Sequence, residues 1–340
     1  MGCDMRRERS SWLRAALVAG LLLALRTVAD GQSNAPAASA TGAAAWSPAL
    51  TAWGHPNLQG NFTNKDETAP FERPAELGTR EFLTEEEYGE RDKRAQEQHA
   101  ERQSPVPNPE SRGINPGGEW LEFRAASRRT SLLVDPPDGR LPPQTDAAKQ
   151  RAAARDEARR GRGPADSYED RSLYDRCISR GLPGSMMPVI YGNSYRIVQA
   201  PGVVAISYEM IHETRVIPVD DSPRAGAAAR SYMGEARGRW EGNTLVVETT
   251  NFNPKMSFRG STDAMRLVER FTPTGPNTIE WRVTVDDPTT WTSPFTFAMD
   301  LTRDDNEAMI EYACHEGNMA MANILSGHRA DERAAAAARR

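Results

Sequence analysis

The feature that most constrains this chain is an alternation of apolar and polar residues through short segments between residues 193 and 303. Ile279, Trp281, Val283 and Val285 fall on one face of a strand, and Thr278, Glu280, Arg282 and Thr284 on the other. Phe295, Phe297, Met299 and Leu301 repeat the pattern. A period of two sends successive side chains to opposite faces of an extended chain, so each segment reads as a strand with one buried face. The segments are 195–199, 203–209, 214–219, 236–240, 244–249, 266–271, 278–285, 295–301 and 309–315. Pro201-Gly202, Glu241-Gly242-Asn243, Thr274-Gly275-Pro276-Asn277 and Asp304-Asp305-Asn306 separate neighbouring segments with tight-turn chemistry. Eight or nine such strands in about 120 residues predict a mainly β fold: an antiparallel up-and-down meander closed into a barrel or a strongly curved sheet, with a β-sandwich as the alternative.

The chain ahead of the meander is of a different kind. Arg6, Arg7 and Arg9 precede an apolar run over 12–25, and Thr27-Val28-Ala29 supplies small residues, the pattern of a signal peptide over 1–29. That run is too short for the ~20 residues of a membrane-spanning helix. Residues 30–48, rich in Ala, Ser, Pro and Gly, predict a disordered leader. The next segment, 49–180, reads as rich in loops and helices, with a first strand over 58–62. Within it Thr84 and Glu87 form a capping box that starts a helix running to about 103, and Thr145 or Asp146 caps a second over 147–160. A strand over 130–134 and a short helix over 168–177 complete this part. The β-meander domain is placed at 181–325, opening on an apolar, turn-rich loop that covers one end of the barrel, and 326–340 form a C-terminal tail.

Forty-two Lys and Arg against 47 Asp and Glu give a net charge of −5, so no global basic field points to nucleic acid. With Cys3 ahead of the apolar run, cleavage leaves Cys177 and Cys314. Two cysteines in one exported chain are expected to pair. Location is therefore expected to be periplasmic or secreted, with no membrane span after cleavage, and oligomeric state is not legible.

Several phrases carry a family resemblance: Ser131-Leu132-Leu133-Val134-Asp135-Pro136-Pro137-Asp138-Gly139-Arg140, Arg176-Cys177-Ile178-Ser179-Arg180-Gly181-Leu182-Pro183-Gly184, Gly238-Arg239-Trp240-Glu241-Gly242-Asn243-Thr244-Leu245-Val246-Val247 and Asp286-Asp287-Pro288-Thr289-Thr290-Trp291. Tyr312-Ala313-Cys314-His315-Glu316-Gly317-Asn318 joins them. With these, the chain from about 46 to 328 resembles a family of secreted proteins of unknown function from environmental bacteria. The resemblance implies no activity. The opening Gly60-Asn61-Phe62 is similar to the Gly-x-Trp start of lipocalin-type barrels, in which the glycine lets an aromatic ring plug the closed end.

Candidate chemistry centres on His315, whose imidazole suits general acid–base work near neutral pH. Glu316, His212 and Asp286 are the supporting catalytic candidates. Arg259 suits an anionic ligand group, and Trp240, Trp281, Tyr312 and Asn318 are further candidate ligand contacts. Two His-Glu pairs, His212-Glu213 and His315-Glu316, lack the spacing of a metal motif, so no metal or cofactor is assigned. The leading expectation is a barrel that holds a small, largely apolar molecule in its cavity. The alternatives are a hydrolase or isomerase using His315, and a structural or interaction protein of the cell envelope.

Overall fold

In the computed structural model, residues 46–102, 122 and 126–339 are described. The expected signal peptide, most of the leader and the proline-rich stretch after the first helix lie outside them. The described chain forms ten strands and three α-helices: β1 (Gly60–Thr63), α1 (Glu85–Arg102), β2 (Leu133–Asp135), α2 (Asp146–Ala158), β3 (Ser194–Ala200), β4 (Val203–Tyr208), β5 (Thr214–Pro218), β6 (Glu235–Glu241), β7 (Thr244–Thr250), β8 (Arg266–Gly275), β9 (Thr278–Asp286), β10 (Phe295–Arg303) and α3 (Ala320–Ala338). None of these helices is long and apolar enough to cross a membrane.

The strands make one antiparallel sheet in the order β5-β4-β3-β1-β10-β9-β8-β7-β6. β1 enters between β3 and β10, pairing Phe62 with both Tyr195 and Arg303. β2 continues that edge of β10, with Phe297 opposite Leu133. The outer strands β5 and β6 come together so closely that a Cβ at Gly238 would lie 2.6 Å from Val219 Cγ1 and 3.0 Å from Ile217 Cγ2. The sheet is therefore a nearly closed barrel rather than a sandwich.

The alternating residues fill its interior. Trp281, Phe271, Phe295 and Phe297 are fully buried. The Trp281 ring meets Phe297 edge-on at 5.6 Å and stacks on Phe271 at 6.3 Å. Each buried aromatic of this kind contributes about 1.5–3 kcal/mol of transfer free energy. The two ends differ. At one end, hairpins β3–β4, β6–β7 and β8–β9 are short. At the other, long connections after β7 and β9 and before β3 fold over the barrel. Phe71 is wedged there against Phe258, Phe295 and Phe297. Leu182 and Met186, in the loop before β3, are fully buried as that loop covers the end.

Both expected α-helices form. Glu87 N–H donates to Thr84 Oγ1 at 3.3 Å while the Glu87 carboxylate accepts from Thr84 N–H at 2.8 Å, closing the capping box of α1. Thr145 Oγ1 accepts from Ala148 N–H at the start of α2. The expected helix over 168–177 shrinks to one 3₁₀ turn, Tyr168–Asp170, and the tail is the larger α3.

The expected strand over 309–315 is not formed. Those residues are a loop, turned by the Cys314 N–H to Tyr312 carbonyl bond at 2.8 Å and the Glu316 N–H to Ala313 carbonyl bond at 3.0 Å. The reason is topological: β9 takes one edge of β10 and β1 with β2 take the other. A hairpin partner after β10 would have no free edge to pair with.

Candidate functional site

The segment after β10 is pinned at three points. Cys177 and Cys314 form the expected disulfide, with Cα atoms 5.7 Å apart. His212 Nδ1 lies 2.8 Å from the Tyr312 carbonyl oxygen, and His315 Nε2 lies 3.0 Å from the Cys177 carbonyl oxygen. A carbonyl only accepts, so both imidazoles donate. The two histidines suited by type to acid–base work thus fasten one loop to another. Glu316 is exposed beside them. Asn318 donates to the Cys314 carbonyl at 2.8 Å and its Oδ1 accepts from the Ala320 N–H at 2.8 Å, just ahead of α3. His315 and Asn318 border a cleft of about 350 Å³ with Tyr168, Arg176, Ile178 and Met321.

Asp286 ends β9 opposite Arg266, and the hydrogen-bonding centre is its neighbour. The buried Asp287 carboxylate accepts from the N–H and hydroxyl of Thr262 (2.6 and 3.1 Å), those of Thr289 (3.0 and 2.6 Å) and the Thr290 hydroxyl (2.8 Å). Burial alone would raise its pKa; the threonine bonds outweigh burial and hold it below the usual carboxylate range. Arg259 adopts φ 52° and lays its guanidinium over the Phe71 ring at 3.4 Å. Trp240 stacks on His55 at 5.2 Å at the short-turn end.

Trp281 leads into the barrel. Its Nε1 donates to Glu269 Oε1 at 3.1 Å, and the same carboxylate pairs with Arg215, both charges being buried. Burial opposes the charge on Arg215, yet Glu269 overrides it and holds the guanidinium protonated. Tyr208 Oη and Arg215 Nε are buried there too, and among the described residues neither makes a well-formed hydrogen bond. The pair crosses from β5 to β8 and fills the middle of the barrel with fixed polar groups.

Space for a molecule lies instead at the short-turn end. A cleft of about 420 Å³ is lined by Trp46, Phe62, Pro273, Pro276 and Ile279, with Arg303 at its polar side. Gly60, at φ 143°, admits the Arg303 side chain where a Cβ would collide with it. The Arg303 guanidinium lies 4.9 Å from the Phe62 ring centroid and donates to the Gln59 carbonyl at 2.8 Å. Phe62, buried under this cation, closes the barrel end. Trp46 remains 46% exposed on the outer wall.

One further grouping joins residues far apart in sequence. Ligand atoms of Asp166, His328 and Glu332 lie within 4.8 Å of one another. Arg329 approaches Asp166 at 3.7 Å and Glu332 at 3.0 Å, so both carboxylates already face a cation. This cluster docks α3 against the segment before the 3₁₀ turn.

The fold and these contacts define the class: an antiparallel β-barrel domain with a packed, ion-paired interior, a disulfide-pinned C-terminal segment and a cleft of mixed polar and apolar walls at one mouth. No family model matches the chain, and no curated protein matches it. Among solved structures it is similar to a secretary abundant heat soluble (SAHS) protein from Ramazzottius varieornatus, at 14% identity and TM-score 0.23, over 39% of this chain and 87% of that one. So low a score carries no argument about the site.

Proposed function

We propose that this protein is an exported β-barrel domain, periplasmic or secreted, that holds a small, largely apolar molecule at the mouth of the barrel. The cleft lined by Trp46, Phe62, Pro273, Pro276 and Ile279 carries this reading. Ligand sites are concave, mostly apolar, supplied with a few placed polar groups, and common at barrel mouths. About 420 Å³ falls within their usual range. Because the interior is filled by Trp281, Phe271, Phe297 and the Arg215–Glu269 pair, the ligand is assigned to the mouth and not to a central cavity. The Cys177–Cys314 bond and the signal-like start support export. A hydrolase or isomerase role is the second reading: the Cys177 carbonyl fixes His315 Nε2 as the donor, which leaves Nδ1 as the nitrogen that would act as a base.

The test is titration with the environment-sensitive probe N-phenyl-1-naphthylamine, followed by its fluorescence. Wild-type protein is expected to bind it saturably, and Trp46→Ala to weaken binding at least fivefold while leaving the unfolding transition unchanged. Equal binding by Trp46→Ala and wild type would move the ligand elsewhere.

A further inference from the structure

The opposite end of the barrel holds an arginine without a counter-ion. Arg180 stands half-buried in the loop between Cys177 and β3. Among the described residues its side chain takes part in no ion pair or hydrogen bond; its contact is the Tyr174 ring, 5.6 Å from the guanidinium carbon. The other deeply placed arginines are engaged: Arg215 by Glu269, and Arg73 by Thr130 and the Pro137 carbonyl. The nearby Glu213 carboxylate is turned instead to the Ser179 hydroxyl at 3.0 Å and the Arg180 backbone N–H at 3.3 Å. Burial pulls the Arg180 pKa below the usual guanidinium range, and Tyr195, Tyr174 and Glu213 offset this only in part. A partly desolvated cation left unpaired is costly.

Tyrosine rings gather beside it. The Tyr191 and Tyr312 rings are 6.1 Å apart. Burial raises the pKa of both Tyr174 and Tyr312, and Tyr191 adds to the rise in each. The frame around them is held firmly. The disulfide and the His212 and His315 bonds fix the loop that carries Tyr312. The Glu122 carboxylate accepts from Gly192 N–H at 2.6 Å and Asn193 Nδ2 at 2.6 Å, fixing the loop that carries Tyr191. Cys177, Ile211 and His212 all adopt positive φ, at 53°, 63° and 46°. For a β-branched residue such as Ile211 that conformation persists only where its surroundings enforce it, as they do around binding sites.

We propose that Arg180 and the Tyr174, Tyr191 and Tyr312 phenols form a binding site for a small organic anion. Its carboxylate lies on the guanidinium fork and its apolar body against the phenol rings. A guanidinium fork matches a carboxylate with two parallel hydrogen bonds. The phenol rings discriminate in favour of an anion with an aromatic or apolar body over a bare one. This site is at the other end of the barrel from the mouth cleft, so the two proposals stand or fall separately.

Calorimetric titration of the full chain with sodium benzoate, and with sodium acetate as the bodiless arm, tests it. Benzoate is expected to bind at least tenfold more tightly than acetate. Arg180→Gln should lower benzoate affinity at least tenfold, Tyr312→Phe should lower it less, and Arg239→Gln, an exposed change on β6, should leave it unaltered. Should Arg180→Gln fail to fold, the arginine Nε–H resonances of the wild-type protein decide, with the Arg180 signal identified from Arg180→Lys. That signal is expected to shift on adding benzoate. Absence of benzoate binding, equal affinity in Arg180→Gln, or an Arg180 resonance that ignores benzoate would each overturn the proposal.

Discussion

A carboxylate accepting hydrogen bonds from three threonines is stabilised in its charged form, and Asp287 is in that position. Its folded pKa is lowered, so its contribution is present above the unfolded value of ~3.9 and is lost as pH falls through the folded one. Asp287→Asn is expected to cost about 1–3 kcal/mol near neutral pH. Its deficit against wild type should shrink as pH falls below about 4, which urea unfolding across pH measures. The Arg215–Glu269 pair responds to substitution differently. Removing one partner strands a buried charge, so Glu269→Leu or Arg215→Met is expected to cost about 3–5 kcal/mol, and the double variant that combines them less than the sum of the two singles. Equilibrium unfolding of the four proteins checks this. The strand alternation carries a signal for this pair: Arg215 shares a face with Ile217, and Glu269 lies between Leu267 and Phe271 on theirs. An in-facing charge on each of two strands is the mark of an interior ion pair. Arg180 has no such signal. Its significance comes from a nearby carboxylate, Glu213, that turns to the Ser179 hydroxyl and a backbone N–H instead of the guanidinium, an arrangement of loops that no period describes.

Among elements, the strands from β3 to β10 follow the alternation to within a few residues, because burial on one face leaves little freedom of register. The strand expected over 309–315 fails for a reason the local pattern does not contain, the prior occupation of both edges of β10. What holds that loop is the disulfide and two histidines, while the Asp166 cluster docks α3 separately, so Cys314→Ser is expected to loosen 310–318 while leaving the barrel paired. In the chain-entropy picture, closing a loop of this length is worth about 4–5 kcal/mol. Hydrogen exchange should show faster exchange through 310–318 and unchanged protection in β8 and β9; loss of protection in those strands would refute this division. The seam between β5 and β6 is a second sensitive element. Gly238→Val inserts atoms where Val219 and Ile217 already lie, and is expected to destabilise by about 1–3 kcal/mol in thermal or urea unfolding.

For the whole molecule, closure of the sheet decides where a ligand can go. A barrel of this size holds either side chains or one small guest, and here Trp281, the surrounding phenylalanines and the Arg215–Glu269 pair occupy the space. Strand number and turn spacing are enough to predict the barrel. Whether its interior is empty depends on how side chains from opposite strands meet, which single-strand patterns do not encode. The exposed Trp46 beside buried Phe62 and Ile279 remains the surface that a guest molecule would cover. Native mass spectrometry of protein purified from the exported fraction, comparing wild type with Trp46→Ala, probes that surface with no assumption about the guest. A retained small, apolar mass is expected on the wild type and should be depleted in the variant. A barrel that emerges without any such mass, or one that keeps it equally with Trp46 removed, would rule out a guest at the mouth.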